Sequence, residues 1–151
     1  MNRTVAWPYV LFAFAAGAAL PVQFGINAQL SSWLDSPVRA AFVSFLTGAI
    51  ILAVAAALLF KPLPSGSRLG HAPWWVWIGG AFGAFYVVAT IVAAPRLGAA
   101  TVVAVIVAGQ SLASVVVDHY GWIGFEPRHV SAGRLVGMAL VGSGVALVRF
   151  F

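Results

Sequence analysis

Charge is what this chain of 151 residues has least of: three acidic residues, eight Lys or Arg, and a charged fraction of 7%. Soluble domains typically carry about 25% charged residues. A chain this poor in charge cannot dress its surface for water, so a soluble globular domain is excluded. There is no cysteine, which excludes a disulfide framework and thiolate metal sites. The net charge of +5 comes from basic residues scattered singly between apolar runs. No basic patch forms, and nucleic acid is not an expected partner. His71, His119 and His129 fall in loops or at the ends of apolar runs. No metal-ligand spacing, phosphate loop or nucleophile–base pair occurs. The expectation is a protein that is not an enzyme and that holds neither metal nor cofactor.

What is present is apolar length. The sequence is 62% hydrophobic with a mean hydropathy of +1.02. A membrane-crossing helix needs roughly 20 apolar residues at 1.5 Å each. Spans are expected at about 7–30, 37–60, 73–94, 99–117 and 132–151. Ser36 is placed to cap the second, with Pro37 in its first turn, and Asp35 and Arg39 are spaced to pair there. "KPLPSGSRLGH", from Lys61 to His71, is rich in Pro, Gly and Ser and reads as an aqueous loop. "HAPWWVW" puts Pro73 at a helix start and Trp74, Trp75 and Trp77 at headgroup level; Trp7, Trp33 and Trp122 fit the same belt. "PRLG", from Pro95 to Gly98, reads as a tight turn. The expected fold is all-α and integral to the membrane, a single five-helix domain over 1–151. A cleaved signal peptide around "AAGAA" is the disfavoured alternative, because the apolar stretch continues well past it and further spans follow.

Orientation follows from Lys and Arg. With the N-terminus inside, Arg3, Lys61, Arg68, Arg128 and Arg134 face inward, and Arg39, Arg96 and Arg149 face outward. The bias favours that topology by a small margin. A small margin also admits insertion in both orientations. An odd number of spans suits one half of a transporter built from two inverted repeats, with the other half on a second chain.

Polar residues break the apolar pattern at few places. In "PVQFGINAQLSSWLDSPVRAAF", Gln23 and Asn27 are four apart and share a helix face, just after Pro21 loosens the backbone. Such a stretch is expected to face other helices and not lipid. Two readings are open: amides bonding across a helix interface, each worth about 0.6 kcal/mol, or a solute site near the midplane. Gln110, Ser114 and Asp118 form a second stripe at four-residue spacing. Gln110 is the deepest of the three. Ser114 has the alternative of bonding back to its own helix, and Asp118 that of a hydrated carboxylate at the rim. Gly79 and Gly83 form a small-xxx-small pair expected to admit a neighbouring backbone. Tyr86 beside them reads equally as a cavity wall or as ordinary packing. Ser44 and Thr47 read as local hydrogen bonders. Gly137, Gly142 and Gly144 point to a close helix contact.

The order of these stretches carries a resemblance. "QFGINAQLSSWLDSPVRAAFVSFLTGAI", "PWWVWIGGAFGAFYV", "PRLGAATVVAVIVAGQSLASVVVDHYGWIG" and the closing "GRLVGMALVGSGVALV" resemble the drug/metabolite transporter superfamily, and within it the small YdcZ-like branch. The resemblance covers nearly the whole chain. It implies one half of a ten-helix inverted-repeat bundle, a multi-pass protein of the bacterial inner membrane, paired as an antiparallel homodimer or with a sister five-helix chain. Small multidrug exporters of the superfamily use a first-helix glutamate to bind cations and protons. Here the first helix offers Gln23 and Asn27, which do not titrate.

The favoured expectation is therefore a transporter half-unit for a small neutral or zwitterionic solute, binding through Gln23, Asn27, Tyr86, Gln110 and Ser114. The alternative is a non-transporting membrane subunit that acts in assembly or regulation. Pairing in opposite orientations has a direct test in a cysteine-free chain. Single cysteines near Arg3 and at Phe151 are expected to react with an impermeant thiol reagent from both faces of the membrane. Reaction from one face only, with no oppositely oriented companion chain co-purifying, overturns the pairing.

Overall fold

The computed structural model describes residues 6–59, 66 and 70–151. Arg3, Phe60, Lys61 and Arg68, and most of the expected 61–71 loop, lie outside the described residues. The described residues form helices and turns, with no strand among them. The helices are α1 (Ala6–Trp33), α2 (Pro37–Leu59), α3 (Gly79–Leu97), α4 (Ala99–Tyr120) and α5 (Ala132–Phe150). Among the described residues, five spans are long and apolar enough to cross a membrane. In lipid a backbone has no water to bond, so each segment satisfies itself as a helix. That constraint overrides local breakers. α1 runs without interruption through Pro21, and α3 runs through Pro95 to Leu97, beyond the end expected at Ala94. Pro73 has φ −59° and ψ 144°, stays outside the helix, and leads into a 3-10 turn at Trp74–Trp77.

The chain divides into two compact units, Met1–Pro95 and Arg96–Phe151. In the first, α1 and α2 pack as neighbours across a short turn. Ser36 accepts a hydrogen bond from the Arg39 backbone N–H at 3.3 Å, the cap expected from the sequence. The expected Asp35–Arg39 pair does not form. Asp35 lies in the turn with φ +50°, so helical spacing does not relate the two, and the Arg39 guanidinium donates instead to the Leu34 carbonyl at 3.3 Å. Ala40 and Ala41 of α2 are buried with Val87 and Ile91 of α3, and Leu30, Tyr86 and Val88 pack around them. The ring of Phe24, 1% exposed, meets Tyr86 edge to face at 6.1 Å. Small residues on α2 thus let the larger side chains of α1 and α3 close over them.

In the second unit α4 packs along α5. Gly121 ends α4 with φ +64° and its N–H bonded to the Asp118 carbonyl at 3.3 Å. A side chain at 121 would be strained by that φ and would also meet Pro127 Cγ at 2.7 Å. Ser131 caps α5 by accepting from the Arg134 N–H at 3.4 Å.

The glycines divide by what faces them. A Cβ at Gly83 would meet Phe45 Cζ at 3.2 Å, whereas Gly79, Gly137, Gly142 and Gly144 have open space. The neighbour of Gly83 is therefore an α2 ring and not a backbone, because Phe45 fills the gap first. Gly83→Leu is expected to drive Phe45 out and cost about 1–3 kcal/mol, read as a lower unfolding temperature in detergent. Adding Phe45→Ala should restore much of the loss. A Gly83→Leu variant as stable as the parent overturns this packing.

Candidate functional site

The bilayer interior makes unbonded polar atoms informative, because water is not there to satisfy them. Most hydroxyls of the spans turn back onto their own helix. Thr47 donates to the Val43 carbonyl at 2.9 Å, Thr90 to Val87 at 2.8 Å, Ser111 to Val107 at 2.7 Å and Ser143 to Ala139 at 2.9 Å. Ser114 does the same towards Ser111, at 2.9 Å, three residues back.

The midspan amides behave differently. Neither Gln23 nor Gln110 makes a hydrogen bond with any described residue. Asn27 is 3% exposed, and its Nδ2 has no partner. The Tyr86 hydroxyl is likewise buried without a partner. Phe24 links these last two, since it lies one turn before Asn27 on α1 and touches the Tyr86 ring. Asn27 and Tyr86 lie in the seam lined by α1, α2 and α3, whereas Gln23, four residues before Asn27, is exposed beside it and does not face other helices as fully as the sequence suggests. Gln110 and Ser114 belong to the second unit.

A cleft of about 290 Å³ opens between the helices of the first unit, lined by Gln23 of α1, by Ser44, Phe45, Gly48 and Leu52 of α2 and by Val87 of α3. Gln23 therefore faces a cavity on the α2 side. Ser44 was legible only as a local bonder, and it makes no hydrogen bond. The signal available in the sequence was its four-residue spacing from Gly48. A wider cleft, about 550 Å³, lies at the α1–α2 turn among Ser31, Ser32, Asp35 and Ser36. It stands at the helix ends, where the aqueous phase can satisfy its hydroxyls and the Asp35 carboxylate, so it has no unmet bonding demand.

The second unit has its own cleft of about 250 Å³, lined by Ser111, Ser114, Asp118, Arg134 and Gly137 among others. Its polar end is an ion pair and not a free rim carboxylate: Arg134 Nη2 donates to Asp118 Oδ2 at 3.1 Å, with the side chains 32% and 28% exposed. Arg134 Nη1 also donates to the Arg128 carbonyl at 3.3 Å, and the Arg128 N–H donates to the Asp118 carbonyl at 2.7 Å. The Val130 N–H donates to His119 Nδ1 at 3.4 Å, and the His119 and His129 rings lie 5.5 Å apart. These contacts tie the end of α4 to the start of α5 across a sixteen-residue separation. Among the described residues no group of three or more His, Asp or Glu could hold a metal ion.

A family described as "Putative inner membrane exporter, YdcZ" matches residues 8–147. The "Inner membrane protein YdcZ" of Escherichia coli (strain K12) is 30% identical over 150 residues, which is 98% of this chain and 97% of that protein. No solved structure matches the chain. The chain belongs to the YdcZ family, and it is a multi-pass inner-membrane protein.

The ion pair gives a prediction separate from transport. Asp118→Asn leaves Arg134 without its carboxylate, and partly exposed pairs are worth about 1 kcal/mol or less. A small fall in detergent unfolding temperature is expected, shrinking as salt rises. A larger loss, or one insensitive to salt, overturns the assignment of Asp118 as a screened interfacial partner.

Proposed function

We propose that the protein is one half of a transporter that moves a small uncharged or zwitterionic organic solute by alternating access. Its midspan amides bind the solute through neutral hydrogen bonds. One observation carries this reading: Asn27 Nδ2 and the Tyr86 hydroxyl are buried without the hydrogen-bond partners that structural amides and phenols acquire, while Gln23, exposed four residues before Asn27, lines a cleft of the same unit without a partner of its own. Gln23 lies ten residues before the end of α1 at Trp33, about 15 Å along the axis, close to the middle of a hydrocarbon layer about 30 Å thick. Gln110 and Ser114 are further solute-binding positions in the second unit. The other half is a second copy in opposite orientation, or a sister chain. Export is the role described for the family.

No Asp, Glu, Lys or Arg stands in the middle of a span. The amides that replace them do not titrate, so solute movement is expected to vary little between about pH 5 and 8. If instead these residues only join subunits, as in an assembly partner, their loss should weaken association and leave no flux to lose.

The test pairs two measurements on the same preparations. Proteoliposomes are loaded with labelled uncharged and zwitterionic solutes, and efflux is followed for the parent, Gln23→Leu and Asn27→Leu. Efflux is expected to collapse in both variants. Unfolding temperature should hold or rise for Asn27→Leu, because an unpaired buried amide costs about 1–3 kcal/mol and the substitution removes it. Normal efflux in both variants, or an absence of efflux in the parent for every solute class, overturns the reading.

A further inference from the structure

Ser44 stands apart from the other hydroxyls of the spans. Thr47, one turn further on the same helix, satisfies its hydroxyl on the Val43 carbonyl, and the same habit holds for Thr90, Ser111, Ser114 and Ser143. Ser44 has the matching option at the Ala40 carbonyl and does not take it. Ser31 and Thr101 also lack partners, but they stand at helix ends, in the last turn of α1 and the first turn of α4, with Thr101 8% exposed. Ser44 is seven residues into α2, about 10 Å from its start. It faces the same cleft as Gln23, whose amide is also unbonded. Apart from these two side chains the walls are aromatic and aliphatic: Phe45, Leu52, Val87 and the bare backbone at Gly48.

We propose that this α1–α2–α3 cleft is a binding site for an uncharged, mostly apolar small molecule carrying one polar function, such as an amide or an alcohol, which bridges the Gln23 amide and the Ser44 hydroxyl. The inference rests on the transport reading in treating Gln23 as a solute ligand, and it narrows the class. A zwitterion or an ion needs a counter-charge in a low-dielectric wall, and the cleft has none. A single amide or hydroxyl on the ligand both donates and accepts, which matches an amide facing a hydroxyl. The apolar remainder of the ligand lies along Phe45, Leu52 and Val87. A volume of about 290 Å³, at the lower edge of ordinary ligand pockets, holds a single-ring molecule.

The chain's lack of cysteine makes occupancy readable. A Cβ at Gly48 meets nothing within 4 Å, so Gly48→Cys places one thiol in the cleft wall while Gln23 and Ser44 stay intact. Ile50→Cys, exposed on the same helix and outside the lining, is the control. In nanodiscs, benzamide and benzyl alcohol are expected to slow alkylation of Gly48→Cys by N-ethylmaleimide and leave Ile50→Cys unaffected. Benzyltrimethylammonium and benzoate, of similar size but charged, should protect neither. Adding Ser44→Ala should raise the half-protecting concentration of benzamide about five-fold, the equivalent of one neutral hydrogen bond. The inference is overturned by equal protection from the cation or the anion, by no protection from either neutral probe, or by a Ser44→Ala variant that binds as tightly as its parent. The assay reads occupancy and not movement. Ser44-dependent protection without benzamide efflux from proteoliposomes upholds this site and counts against transport. Benzamide efflux without such protection upholds transport and overturns this site.

Discussion

A bilayer offers no hydrogen bonds, and the structure is organised by where each polar atom finds one. The backbone solves its part locally by forming helices, and it does so even across Pro21 and Pro95, where a soluble chain would more readily break. Each proline still leaves one carbonyl without its amide, at Gly17 and Ile91 respectively. The side chains follow the same rule one level up. Short hydroxyls can reach a carbonyl three or four residues back, and most do. Glutamine and asparagine reach away from their own helix, so their bonding must come from elsewhere. The division between self-satisfied hydroxyls and unsatisfied amides is thus a consequence of side-chain length and solvent, and it is what singles out the seam around Gln23, Asn27 and Tyr86.

How far the sequence disclosed this depends on the range of the interaction. Local events were legible: the Ser36 cap, the start of α2 at Pro37, and a fifth span beginning at Ala132. Helix ends shifted where tertiary or solvent demands outweighed local signals, as at Leu97, where α3 continues past a proline because lipid penalises an open backbone more than a proline does a last turn. Pairings between distant residues were not legible. Nothing in the spacing of Asp118 and Arg134, sixteen positions apart, distinguishes an ion pair from two hydrated charges. Nor does sequence alone separate Ser44 from Thr47: both are small hydroxyl residues on one apolar helix, and only the position of the cleft shows that one has a reason to face outward.

The first unit also shows how small residues divide packing from open volume. Ala40 and Ala41 are small enough for α1 and α3 to close over α2, while Gly48, one turn beyond Ser44 on the same helix, leaves a recess at the cleft. Small residues therefore do two opposite jobs on one helix. Where a large side chain from a neighbour fills the gap, as Phe45 does at Gly83, the result is packing. Where none does, as at Gly48, the result is volume.

The absence of a midspan charge has a thermodynamic consequence for any transport cycle. A carboxylate in a first helix can exchange a proton for a cation, so its protonation energy is available to drive the cycle. Amides and hydroxyls have no comparable free energy to exchange between pH 5 and 8, and the Asp118–Arg134 pair is committed to joining α4 and α5. A pair of halves built on this chemistry would run down the solute's own gradient unless the second half supplied a titrating or ion-binding group. On the proposed two-half reading, that requirement falls on the partner. If the partner is a second copy, the neutral seam implies facilitated exit of an accumulated solute. If it is a sister chain, an acid in that chain at the level of Gln23 would supply the titrating group that the proposed cycle otherwise has no source for.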